Sequence, residues 1–205
     1  MKYIELNKFL KDFTIFSLND VKKIDKNFHR RRLNEWQNKG YIKKVIKGYY
    51  IFSDLTLNEN VLFEIANRIY NPSYISLEMA FSYYHLIPES VYGITSVSTR
   101  RTYRFKTPIG EFIYRKVKPN LFFGYNLVNY KGKRFKIASI EKAILDYFYI
   151  NPNIKTEADF VSLRMNKDLF LKQINEKKLH KLLKEFGKKT LTRRVVSFLE
   201  FMKNA

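Results

Sequence analysis

The side chains best suited to chemistry in this 205-residue chain lie in the stretch FHRRRLNEWQNKG, which is followed at once by YIKKVIKGYYIF. At 100° per residue, His29, Leu33 and Trp36 share one face of a helix, which predicts its buried side. We expect this helix to begin near Asp25, acting as its N-cap, and to end before Gly40. The outward side would carry basic and amide side chains: Lys26, Asn27, Arg30, Arg31, Asn34 and Asn38.

Arginine and asparagine are side chains that can read DNA bases directly. A guanidinium can donate two hydrogen bonds to O6 and N7 of guanine, and a carboxamide can pair with N6 and N7 of adenine. A helix with such an outward face fits the major groove, which is about 12 Å wide. The lysines of the following segment, Lys43, Lys44 and Lys47, would bind phosphates, which position a protein without reading sequence.

The elements around this helix follow a recognisable order. Apolar residues recur at helical spacing over residues 4–13 and again from Leu18 to Ile24, which predicts two earlier helices. Residues 42–46 and 49–52 predict two short strands joined by a tight turn at Lys47-Gly48. Three helices followed by a basic hairpin are typical of a winged helix-turn-helix, so we expect such a DNA-binding domain over residues 1–52.

The remaining residues, 53–205, predict a larger domain, so the fold class is α+β. From Ile94 the hydrophobic period changes to two, and turn residues at 108–110 and 131–132 predict an antiparallel sheet. Helical spacing returns after Ser139 and continues through the last fifty residues. We therefore expect a mixed domain with an antiparallel sheet and C-terminal helices.

The composition favours a polyanionic partner. The chain has 39 Lys and Arg against 19 Asp and Glu, a formal net charge of +20, and such a charge is typical of proteins that bind nucleic acid or anionic membranes. Residues 101–136 alone contain ten basic residues and one acidic residue. Possible phosphate contacts in this part of the chain are Arg100, Arg101, Arg104 and Lys106.

Several classes of site are disfavoured by the composition. The chain has no cysteine, which excludes disulfides, thiolate zinc sites and cysteine nucleophiles. No apolar run approaches the roughly 20 residues that span a bilayer, and the N-terminus lacks the apolar block of a signal peptide. We therefore expect a cytoplasmic protein that contacts no membrane.

Three segments in order resemble the AbiEi family, the antitoxin and transcriptional regulator of AbiE-type (type IV) toxin–antitoxin systems. They are YISLEMAFSYYHLIPE, ITSVSTRRTYRFKTPIGEFIYRKVKPNLFFGY and FKIASIEKAILDYF. The last resembles the family's pattern apolar-Ala-x-x-Glu-Lys-Ala-x-x-Asp, which runs here from Ile137 to Asp146. With the N-terminal domain, the resemblance covers most of residues 1–150.

The resemblance implies two activities and no cofactor. The N-terminal domain would bind inverted repeats in double-stranded DNA at its own promoter and repress its operon. The C-terminal domain would counteract a nucleotidyltransferase-type toxin encoded beside it, without needing a stable complex. The protein would then be a non-enzymatic component of an abortive-infection defence against phage.

Two other classes of function are open from the residues. A non-catalytic RNA-binding protein could stack unpaired bases on the aromatic residues of RTYRF and FIYRK. A metal-dependent nuclease could use Glu111 and Lys116 with a distant acid such as Asp54. The three histidines, by contrast, have no metal-ligand spacing.

Overall fold

The protein has an α+β fold, in a computed structural model that describes residues 1–88 and 92–204. These residues form ten α-helices, a three-stranded antiparallel sheet and a six-stranded mixed sheet. Glu89, the last residue of the first segment that carries the family resemblance, lies outside the described residues. Within these residues, the helices are all too short or too polar to cross a bilayer.

The first 52 residues form the smaller sheet and three helices. Their order is α1 (Tyr3–Leu10), β1 (Phe16–Ser17), α2 (Leu18–Ile24), α3 (Arg31–Asn38), β2 (Ile42–Ile46) and β3 (Tyr49–Phe52). The sheet has the strand order β1-β3-β2, and the expected turn at Lys47-Gly48 joins β2 to β3. Gly48 has a φ of +88°, a conformation that costs glycine little and other residues more.

The predicted start of the third helix was wrong. Helix α3 begins at Arg31, and Asp25 instead ends α2. The Asp25 carboxylate accepts the backbone N–H of Asn27 at 3.1 Å, which favours a turn over a continued helix. This turn places Phe28 in the core and leaves His29 exposed, so the predicted inward position of His29 was wrong as well.

Beyond residue 52, strands and helices build the larger sheet and its covering layers. The first part contains α4 (Glu59–Ile69), β4 (Ser73–Ile75), α5 (Glu78–Tyr83), β5 (Ile94–Ser98), β6 (Tyr103–Thr107), β7 (Gly110–Lys116), β8 (Tyr125–Tyr130) and β9 (Lys133–Ala138). The second part is helical, as expected: α6 (Ile140–Ile150), α7 (Glu157–Ser162), α8 (Lys167–Gln173), α9 (Glu176–Phe186) and α10 (Lys189–Asn204).

The larger sheet is mixed, so the expectation of an antiparallel sheet was wrong. Its strand order is β6-β7-β5-β4-β9-β8. The hairpins β6–β7 and β8–β9 are antiparallel as predicted, but β5 pairs with β7 and β4 with β9 in parallel. The second strand of each hairpin is parallel to its inner neighbour, β7 to β5 and β9 to β4, whereas β4 and β5 are antiparallel to each other. Alternation along a strand shows which side is buried but not which strand is its neighbour.

The N-terminal elements have a core of their own and also pack on the larger sheet. Ile15, Val45 and Ile51 belong to the hydrophobic cluster of the larger part, and β2 contacts β6. The buried Thr14 hydroxyl donates a hydrogen bond to the Glu64 carboxylate on α4. The domain boundary after residue 52 stays a prediction. The two parts touch through buried apolar side chains and through the hydrogen bond between Thr14 and Glu64.

A buried ion pair lies on α6, inside the larger part. Lys142 and Asp146 are one helical turn apart, and neither side chain is exposed. One carboxylate oxygen of Asp146 contacts the Lys142 ammonium; the other accepts hydrogen bonds from the hydroxyls of Tyr74, at 2.8 Å, and Ser76, at 2.9 Å. Burial raises the pKa of Asp146 and lowers the pKa of Lys142, and the attraction between the two charges opposes both shifts.

Aromatic rings surround the Lys142 ammonium on its other sides. Its Nζ lies 4.9 Å from the ring centroid of Phe186 on α9 and 5.0 Å from that of Phe123. These cation–π contacts replace part of the hydration that the ammonium loses. A Cβ on Gly124 would lie 3.1 Å from the Lys142 side chain, so the backbone beside the pair is close-packed.

We predict that Lys142→Met destabilises the protein by about 3–5 kcal/mol, because it leaves the Asp146 carboxylate buried without its cation. The double variant Lys142→Met/Asp146→Asn removes both charges and keeps an acceptor for Tyr74 and Ser76, so it should be clearly more stable than the single variant. Urea denaturation followed by circular dichroism measures both. A single variant no less stable than the double would show that the pair does not hold this core together.

Candidate nucleic-acid interface

Helix α3 turns a polar face to solvent. Leu33 and Trp36 are buried, and Trp36 packs against Phe28 with ring centroids 5.4 Å apart. Because these two residues fix the inward direction, Arg31 and Asn38 lie nearly opposite them at 100° per residue. Arg31, Asn34 and Asn38 are all exposed. The helix therefore presents a guanidinium and two carboxamides outward.

The three consecutive arginines have different surroundings. Arg30 and Arg31 are exposed, and the Arg31 side chain keeps 89% of its accessible surface. Arg32 is half-buried, and its guanidinium donates a hydrogen bond to the backbone carbonyl of Met1. The ammonium of Met1 is in turn 3.2 Å from the Asp25 carboxylate. Arg30 and Arg31 are thus accessible to a partner, whereas Arg32 holds Met1 against α3 through its hydrogen bond.

Glu35 is a member of the outward face that the sequence reasoning missed. Its carboxylate oxygen lies 3.7 Å from Nε of Arg31, one helical turn away. The spacing of four residues between an arginine and a glutamate was a usable signal. A carboxylate here can accept a hydrogen bond from N4 of cytosine, and it repels phosphate.

Lys26 and Asn27 lie in the turn between α2 and α3 rather than on the helix. Both are exposed, and they precede the first turn of α3 by four or more residues. The structure therefore places them before α3 and not on its outward face.

The predicted lysines of the hairpin are all exposed. Lys43 and Lys44 are adjacent on β2, where the register shifts between Lys44 and Ile46, and Lys47 lies in the turn. Val45 falls within the shift and packs on the larger core. At this β-bulge the side chain of Val45 is buried, while Lys44 and Lys47 on either side of it are exposed.

The four basic residues expected to bind phosphates from the larger domain differ in their partners. Arg104 makes a two-bond ion pair with Glu111 across β6 and β7, which holds the pKa of Glu111 below its usual range. Lys106, two residues along the same strand, is exposed. Strand β6, which carries Arg104 and Lys106, contacts β2 of the hairpin.

The other two of these residues lie over aromatic rings. The guanidinium of Arg100 lies 4.5 Å from the ring centroid of Tyr70, and that of Arg101 lies 5.4 Å from the ring centroid of Tyr103.

The aromatic residues considered for RNA stacking are mostly buried. Phe112 and Tyr114 have no exposed surface, and Phe105 is half-buried. Tyr103 keeps 40% of its surface, and with Arg101 over its ring it is the member of this set best placed to meet a base.

The residues considered for a nuclease are not brought together. Glu111 is paired with Arg104, and Lys116 lies five residues further along β7, about 17 Å away at 3.3 Å per residue. Among residues 1–88 and 92–204, no group of three or more His, Cys, Asp or Glu side chains is arranged to hold a metal ion.

Comparison with known proteins assigns no family. No family model matches the chain, and a search of curated proteins finds no match. The interpretation of this surface therefore depends on its geometry and charge.

We predict that Lys106 and Arg104 contribute unequally to binding of duplex DNA. Lys106→Gln should flatten the slope of log K against log salt by about 0.9, the value for one lost phosphate contact. The double variant Arg104→Gln/Glu111→Gln removes a neutral pair, with one residue on β6 and one on β7, and should leave the slope unchanged. Fluorescence anisotropy over a salt series measures both. Equal flattening by the two variants would show that Arg104 binds phosphate despite Glu111.

Proposed function

We propose that residues 1–52 form a winged helix-turn-helix that reads double-stranded DNA, with α3 in the major groove and the β2–β3 hairpin along the backbone. The observation that carries this proposal is the outward face of α3, with Arg31, Asn34 and Asn38, placed beside a lysine-bearing hairpin. The element order α1-β1-α2-α3-β2-β3 and the sheet order β1-β3-β2 support it, since a wing is the hairpin that follows the recognition helix.

The chemistry of the surface divides between reading and positioning. Groove recognition needs donors and acceptors held on a rigid element, and α3 is anchored by Leu33 and Trp36. Backbone binding needs accessible cations without fixed partners. Lys43, Lys44 and Lys47 meet that need, whereas Arg32 and Arg104 are committed within the protein.

The resemblance to the AbiEi family extends this proposal to autorepression and antitoxin activity. The protein would bind inverted repeats at its own promoter and would counteract a nucleotidyltransferase-type toxin. Two residues of the pattern that carries the resemblance, Lys142 and Asp146, form the buried ion pair. They support the core of the larger part, so the surface that would act against a toxin is to be found among other residues.

Loss of one reading side chain should reduce specific binding far more than non-specific binding. Arg31→Ala or Asn34→Ala removes a contact to a base edge, worth about 1–3 kcal/mol. Anisotropy titrations would compare an inverted repeat from the protein's own promoter with a random duplex. Arg193→Ala removes an exposed arginine on α10 and serves as the matched control. Equal losses on the two duplexes would exclude α3 as the reading element.

Repression and antitoxin activity should separate by residue. The triple variant Arg30→Ala/Arg31→Ala/Asn34→Ala changes only exposed side chains, so the larger part should stay folded. A promoter–reporter fusion should lose repression, while cells expressing the adjacent toxin from an independent promoter should still be rescued. Failure of rescue at normal abundance would show that antitoxin activity depends on nucleic-acid binding.

A further inference from the structure

A crevice of about 340 Å³ opens between the smaller sheet and the larger one, and none of its lining residues is on α3. Its walls come from β3, from the end of α4, and from the hairpin β8–β9. A volume of this size is at the lower end of the range for small-molecule sites and exceeds what a single ion needs.

The crevice lies beside a short parallel pairing in the larger sheet. Strands β4 and β9 are paired only at Ile75 and Ile137. Towards the crevice, the backbone N–H of Lys136 on β9 donates instead to the side-chain oxygen of Asn67 on α4, at 2.6 Å. The side chain of Asn67 thus takes the place of a neighbouring strand and leaves the gap open beside Ser73.

Three cations line the crevice without a carboxylate among the described lining residues. The guanidinium of Arg68 lies 5.7 Å from the ring centroid of Phe13, and Nζ of Lys136 lies 5.4 Å from that of Tyr125. Arg134 is exposed at the rim. Aromatic rings hold two of these cations in place but do not neutralise them, so the crevice keeps a net positive charge.

Two donors in the floor lack hydrogen-bond partners. The hydroxyl of Ser73 and the side-chain nitrogen of Asn67 are both buried and unpaired, and Ser73 as a whole is 1% exposed. Buried polar groups are almost always paired in native proteins, and an exception calls for an explanation such as a missing ligand. An anionic acceptor that enters the crevice would supply the partner.

We propose that this crevice binds a small phosphorylated molecule of mononucleotide size. Its phosphate would lie among Arg68, Arg134 and Lys136, which can donate charge-assisted hydrogen bonds to phosphate oxygens. Its organic part would contact the half-buried ring of Tyr49 and the exposed side chain of Leu127. The crevice contains none of the residues proposed to read DNA, so a test of ligand binding in the crevice is independent of a test of DNA binding.

The test is calorimetric titration of the full chain with pyrophosphate and with AMP, at constant ionic strength. We expect saturable binding of both, and at least tenfold weaker binding by Arg134→Gln/Lys136→Gln, which loses two charge-assisted contacts. Lys131→Gln changes a lysine in the turn of the same hairpin, outside the crevice lining, and should bind as the unchanged protein does.

A second variant separates binding from folding. Ser73→Ala removes an unpaired buried hydroxyl, so its melting temperature should be unchanged or higher while its affinity for AMP falls. Absence of saturable binding, or an equal loss in Lys131→Gln, would overturn the proposal. A third result would also overturn it: neither AMP nor pyrophosphate binds, and Arg134→Gln/Lys136→Gln binds duplex DNA more weakly than the unchanged protein does. The cations of the crevice would then be contacts for the DNA backbone.

Discussion

The fold depends on the pairing of Lys142 with Asp146 inside the larger part. Two opposite charges without access to water are tolerated only when each has partners on every side, and here those partners come from several elements. Tyr74 and Ser76 bring the end of β4 to the carboxylate, and Phe186 brings α9 to the ammonium. Helix α4 packs on β4 and β9, and the N-terminal elements rest on α4 through the bond between Thr14 and Glu64. The N-terminal elements are therefore linked, through α4 and β4, to a charge pair in the core.

The net charge of +20 overstates the charge that is available to a partner. Arg32 is bonded to the backbone of residue 1, and Arg104 is neutralised by Glu111. Arg194 donates to three carbonyl groups at and beyond the C-terminal end of α6. Two of the remaining groups of cations matter for the proposals made above: one lies on α3 and the β2–β3 hairpin, and the other lines the crevice. A partner with phosphates suits both groups, but the first includes the side chains proposed to read bases, whereas the second lines a crevice of about 340 Å³.

Local signals in the sequence predicted the elements better than their arrangement. The turn at Lys47-Gly48 and the return of a helix after Ser139 were predicted correctly, because each depends on a few adjacent residues. The predicted start of α3 was wrong because His29 has helical spacing to Leu33 and Trp36, whereas the bond from Asn27 to Asp25 favours a turn. The mixed sheet depends on which strands become neighbours, and periodicity does not contain that information. The β6–β7 hairpin was predicted, but the pair of Arg104 with Glu111 also depends on its register, in which Glu111 lies opposite Lys106. The burial of Lys142 was not predicted from the sequence either, because a lysine next to a glutamate usually faces water.

The central claim is that this protein reads a sequence in double-stranded DNA, and selection from a randomised duplex library tests it most directly. The full chain would be incubated with the library at near-physiological salt, and bound duplexes would be amplified and sequenced over several rounds. A winged helix-turn-helix acting in pairs predicts enrichment of an inverted repeat with half-sites about one helical turn, 10–10.5 base pairs, or a multiple of it apart. Uniform recovery of all sequences, or displacement of every selected duplex by single-stranded RNA at the same salt, would contradict the account.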